Sequence, residues 1–224
     1  IILSLICALL YLRATPNTYS VDALVQVEEN KGASAALLGD LSSMVEQKQP
    51  AQAEIEILKS RLVLGNVIQH LNLDLKISGT ENSFTDRLLS PHHYQTQYQP
   101  KSVVFKDEEK AFDIRQFNVP SNFRDKNLEL RFKDGQFILT NTQTQQVILT
   151  GKTNQANSLR TIDGLWNIYI YTQDQLNDVY LIQKQSLPAA VNSILANYSV
   201  AEKGKLTGIL GLNYQGTDKT HITL

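Results

Sequence analysis

The chain has 224 residues, room for one large domain or two small ones. Lys and Arg number 21 against 22 Asp and Glu, a balance that argues against a nucleic-acid binder and against an acidic disordered tail. Hydrophobic residues at 42% and charged ones at 19% supply a packed core, while 19 Gln and 16 Asn make much of the surface polar without charge.

Residues 1–12 read IILSLICALLYL. As a helix they span roughly 18 Å, short of the ~30 Å hydrocarbon core of a bilayer. The run opens at residue 1 with neither Met nor a charged flank, and is read as the last turns of a transmembrane helix, residues 1–14. The alternatives are a buried N-terminal helix or a signal-peptide core, although no positive leader or A-x-A-like site is visible. Pro16 ends any helix just before it.

Tyr19, Val21, Ala23, Val25 and Val27 alternate with polar residues, which predicts a half-buried strand. Residues 31–49 are rich in Ala, Ser and Gly and suggest a short helix over 35–45. Pro50 suits the first position of a long helix through residue 71, with Ile55, Leu58, Leu62, Leu64, Val67, Ile68 and Leu71 forming a wide apolar stripe. On it Glu56 and Lys59 are spaced to pair at i,i+3. A short strand follows over 73–78, a helix candidate over 82–89 and a polar loop over 92–101.

From residue 103 to 171 the period switches to two. Leu128, Leu130 and Phe132 alternate with charged residues, and Asp134-Gly135 predicts a type I′ hairpin turn. A second hairpin joins 137–139 to 147–149. Trp166, Ile168 and Ile170 share one strand face, and residues 179–185 form another strand. A helix over 187–198, strands over 199–203 and 207–214, and a helix start at Thr217-Asp218 complete the pattern. The fold class is α+β: mostly antiparallel sheet, one long packed helix and a few short ones. No repeat or linker interrupts residues 15–224, which read as one domain.

No constellation for catalysis stands out, so neither catalytic, cofactor-binding nor metal-ligating residues are assigned. Gly151-Lys152-Thr153 has Gln146 where a phosphate-binding loop needs its first Gly; Gly204-Lys205 has Ser199 there. Both read as turns. His92-His93 point to opposite sides of an extended segment, and His70 suits a helix C-terminus. The single Cys7 permits no internal disulfide, and four His with one Cys exclude a Cys-rich zinc site. Glu54 and Glu56, two apart on a helix, do not face each other as a glycosidase pair would. Asn197-Tyr198-Ser199 is a short glycosylation-type match. Tyr169 and Tyr171 share the strand face opposite Trp166, as a sugar-stacking platform or as part of an ordinary second core.

Two segments go beyond periodicity. The run EIEILKSRLVLG at 54–65, followed by 67–74, resembles the signature helix of the polysaccharide co-polymerases, the Wzz-type chain-length determinants, and most closely the branch fused to a bacterial tyrosine kinase. The strand at 19–28 and the run at 202–218 are similar to that family's first and closing periplasmic strands. The resemblance implies a periplasmic α+β module, cut short before a coiled-coil region, in a protein held in the inner membrane. It also implies homo-oligomeric rings, polymerase and export machinery as partners, and control of capsule or exopolysaccharide chain length. The kinase, with its ATP and Mg, would lie outside this chain; a kinase-free relative and a membrane-anchored carbohydrate-binding domain are the alternatives. Some of Glu54, Glu56, Lys59 and Arg61 are expected to pair across subunits or anchor the helix on the sheet.

Overall fold

The computed structural model describes residues 2–15, 17–27, 50–80, 94–204 and 207–217. The expected helices at 35–45, at 82–89 and after Thr217, and the pair His92-His93, lie outside them. The described strands form three antiparallel sheets, two of five strands and one of three.

The first five-stranded sheet is built from β3 (Tyr94–Gln99), β4 (Ser102–Asp107), β5 (Lys110–Asn118), β9 (Ala156–Thr161) and β10 (Gly164–Tyr171), in the order β3-β4-β5-β10-β9. The second is built from β2 (Leu75–Gly79), β6 (Leu128–Lys133), β7 (Gln136–Asn141), β8 (Val147–Lys152) and β11 (Val179–Lys184), in the order β2-β11-β6-β7-β8. Alternation makes one face of each apolar, and the two apolar faces bury each other as a sandwich. Phe105, Phe112 and Tyr180 meet across the interface with ring centroids 5.1–5.3 Å apart, within the range of favourable aromatic pairs. Trp166, wholly buried, packs edge-on against Phe123 at 4.7 Å.

The Asp134-Gly135 turn has φ of +49° and +72°, the left-handed pair that a type I′ hairpin demands. In the β7–β8 hairpin the Asn141 side chain accepts from the backbone N–H groups of Gln143 and Thr144. Residues 94–99, expected as loop, are β3. Its alternation is hidden because the inward Thr96 and Tyr98 are themselves polar; Tyr98 is buried and donates its hydroxyl to the Leu75 carbonyl at 3.0 Å. Gly151-Lys152 end β8 rather than forming a turn, and a Cβ on Gly151 would overlap the Phe137 ring.

The third sheet, β1-β13-β12, joins β1 (Tyr19–Gln26), β13 (Ile209–Gly216) and β12 (Tyr198–Glu202). The single long helix is corrected to two, α2 (Pro50–Leu58) and α3 (Arg61–Leu71). Ser60 makes the break: its backbone is extended (ψ 151°) and its hydroxyl accepts from the Val63 N–H at 3.3 Å, capping α3. The wide stripe thus belongs to two helices with different partners. Ala51 and Ile55 of α2 bury against Val200 and Leu210, whereas Leu64 and Ile68 of α3 bury against Ala190 and Val191 of α4 (Leu187–Leu195). Tyr198, expected to end α4, starts β12 instead. β1 is a strand as expected but not half-buried; seven of its eight residues are exposed, and among the described residues α2 packs on β12 and β13 rather than on β1.

At the N-terminus α1 (Ile2–Ala14) is 13 residues long, with Ile2 and Leu12 exposed. Among the described residues no helix is long and apolar enough to cross a membrane.

Candidate functional site

Two surfaces gather the side chains singled out above. The first is the outer face of the sheet containing β5 and β10. The inward set Phe112, Ile114 and Phe117 is spaced by two and then by three, so one residue is extra. The β5–β10 register slips at that place: Tyr169 opposes Gln116 and Ile170 opposes Ile114, leaving Arg115 as a bulge residue. The bulge turns Arg115 outward onto the two tyrosines. Its guanidinium carbon lies 4.2 Å from the Tyr171 ring centre and 5.5 Å from that of Tyr169, within cation–π range. Arg115 Nε donates to Asp113 Oδ2 at 3.1 Å, and Nη1 donates to the Tyr169 hydroxyl at 3.4 Å. The hydrogen bond to Asp113 holds the guanidinium above its usual pKa, so it stays charged.

The other Asp113 oxygen, Oδ1, is buried and has no hydrogen-bond partner. Gln173 Nε2 donates to the Tyr171 hydroxyl at 2.9 Å. In the neighbouring row Asn167 opposes Asn118 on one side and Ser158 on the other, and Ser158 Oγ donates to Asn167 Oδ1 at 2.7 Å. Tyr169 and Tyr171 are half-buried here. Arg115 and Asp113 were not expected from sequence; the two-then-three apolar spacing was the available signal.

The second surface lies on α2 and the start of α3. A groove of ≈ 330 Å³ runs between α2 and β12, lined by Gln52, Ile55, Glu56, Lys59, Val200 and Glu202 among others. Glu56 and Lys59 are thus brought together with Glu202. Glu56 accepts from Gln52 at 3.1 Å instead of pairing with Lys59, so the expected i,i+3 pair is not formed. Glu54 is half-buried and does not line the groove; Arg61 lies beyond the Ser60 break, exposed in the first turn of α3. A cation there opposes the helix dipole at a cost of ~0.3–1 kcal/mol, so the fold does not explain Arg61. Leu62 beside it is 76% exposed.

The backbone N–H groups of Lys152 and Thr153 donate to Asn157 Oδ1 and the Gly135 carbonyl and are not available to phosphate. Among the described residues no group of three His, Cys, Asp or Glu could hold a metal ion. His70 stands in the last turn of α3, as expected.

Residues 1–71 match the family model described as Wzz, chain length determinant protein. Along its whole length the chain is 91% identical, over 223 residues, to the tyrosine-protein kinase ptk of Acinetobacter johnsonii, covering 30% of that protein. It is 30% identical over 225 residues to the tyrosine-protein kinase wzc of Salmonella typhi, covering 97% of this chain and 28% of that one. It is 25% identical over 225 residues to the tyrosine-protein kinase etk of Escherichia coli. The chain therefore spans about 30% of the length of the curated relatives it matches.

Proposed function

We propose that this chain, which belongs with the Wzz-type chain-length determinants and the kinases named Wzc, Ptk and Etk, is the periplasmic regulatory and oligomerisation module of an inner-membrane polysaccharide co-polymerase. It sets the chain length of a capsule or exopolysaccharide and serves its export. Residues 15–224 act as one periplasmic domain, and α1 is the end of a membrane helix. Autophosphorylation, with its ATP and Mg, belongs to a kinase domain elsewhere in the parent protein. Its partners are further copies of itself, the polymerase and the export machinery.

One observation carries this reading: the described elements inside the family match leave large apolar side chains in solvent, on a helix pair as well as on a strand. β1, α2 and α3 lie within the match, and they expose Leu24 at 70%, Ile57 at 51% and Leu62 at 76%. Apolar surface of this kind is ordinarily covered by a partner. Arg61, charged at the wrong end of a helix for stability, stands beside the exposed Leu62, and a neighbouring subunit supplies the carboxylate it lacks.

Arg61→Glu in the whole protein is expected to shift the length distribution of the polymer on gels and to weaken cross-linked oligomers. Stability should rise slightly, by about 0.5–1 kcal/mol, because an anion in the first turn favours the helix dipole, so weakened assembly would not reflect misfolding. Unchanged polymer length together with unchanged oligomers would overturn the reading.

A further inference from the structure

Resting on that reading and deepening it, we propose that the outer face of β4, β5 and β10 is a binding site for an uncharged, hydroxyl-rich stretch of polysaccharide. The chain would be seated on Tyr169 and Tyr171 and gripped by Asp113 and Arg115. The two tyrosines stand on one face about 7 Å apart, the spacing of residues i and i+2 on a strand. Their positions are fixed before any ligand arrives: Arg115 stacks over both rings and Gln173 holds the Tyr171 hydroxyl. A preset aromatic surface loses little entropy on binding.

The chemistry around the rings selects hydroxyls. Asp113 Oδ1 is a buried carboxylate oxygen with nothing donating to it, a costly state for the free protein. A small rotation of the Asp113 carboxylate, with Arg115 left in place on the rings, presents this oxygen to a sugar hydroxyl that supplies the missing proton donor. Gln97, Gln116, Asn118 and Asn167 add amide donors and acceptors to the same face. Asp113 neutralises Arg115, and the other basic residues on the face, Lys106 and Arg160, stand one same-face position further out. The outer face of the partner sheet is different in kind. It carries the Glu129–Arg131 ion pair and Lys133.

The test uses the full-length protein purified from its own cells, with the polysaccharide of those cells as probe on a biosensor. Retention by the wild type should weaken about tenfold or more in Tyr171→Ala and in Tyr169→Ala, and by several-fold in Asp113→Asn. Tyr171→Phe, which keeps the ring, should retain most of the binding, and Arg131→Ala on the opposite face should retain all of it. Retention should survive about 0.5 M NaCl, where exposed charge contacts are screened. Three results would each overturn the proposal: no retention by the wild type, equal retention by folded variants, or retention abolished by salt. Should Arg61→Glu alter polymer length while the wild type retains no polymer, the co-polymerase reading stands and the site falls. Should polymer length and oligomers both stay unchanged in Arg61→Glu while the tyrosine variants lose retention, the site stands and that reading falls.

Discussion

The sandwich and the helix-covered three-stranded sheet solve the burial problem to different degrees. Twenty side chains close the sandwich core, many of them aromatic. The three-stranded sheet has a cluster of four, Ala51, Ile55, Val200 and Leu210, and leaves β1 bare. Both regions obey the same period-two alternation. What separates them is the second layer. The sandwich provides a complete opposing sheet, while among the described residues α2 and its neighbours reach two strands of the three. Among the described residues the sandwich core is closed by two opposing sheets, whereas β1 stays exposed.

The largest expected break in that contrast is Trp166→Ala. Emptying a wholly buried indole site should cost about 3–5 kcal/mol, read as a lower denaturant midpoint, and far exceed the effect of any residue of β1. Next comes pH. Burial raises the Tyr180 pKa well above its ordinary value, and the Asp107 carboxylate, which accepts its proton at 3.0 Å, raises it further. The folded state therefore keeps the phenol protonated while the unfolded chain ionises near pH 10. Stability from this group is complete below that pH and is lost as pH rises beyond it. Tyr180→Phe should cost about 1 kcal/mol at neutral pH and make the alkaline loss shallower. Tyr198 and Tyr214, raised by burial in the other sheet, would keep a residual slope. The smallest effect is Ser60→Ala, about 1 kcal/mol or less from the lost cap. It should appear as faster hydrogen exchange in the first turn of α3, with the sandwich amides unmoved.

Much of this was legible from sequence, and the failures have definite causes. Asp134-Gly135 was readable because a type I′ turn needs positive φ at both residues, which that pair tolerates. Trp166, Ile168 and Ile170 were readable because large apolar residues at period two permit only one buried face. The strand at Tyr94–Gln99 was missed because hydropathy cannot see a Tyr that buries its ring and satisfies its hydroxyl on Leu75. The break at Ser60 was missed because the apolar periodicity runs on across it, and the extended backbone of one residue decides the matter.

For the candidate surfaces the division is similar. Tyr169 and Tyr171 could be placed together on one face from strand alternation, whereas Glu54, Glu56, Lys59 and Arg61, expected on one helix from spacing, are divided by the break at Ser60. Local sequence determined the strands, the hairpins and the uncharged polar surface, because dihedral preference and periodicity act between near neighbours. Only the tertiary structure decided that β5 lies beside β10, with the bulge that carries Arg115 over the tyrosines. That pairing joins segments some fifty positions apart, and its register is chosen by how Phe112, Ile114 and Phe117 fit against the opposing sheet, a condition written in no single stretch of chain.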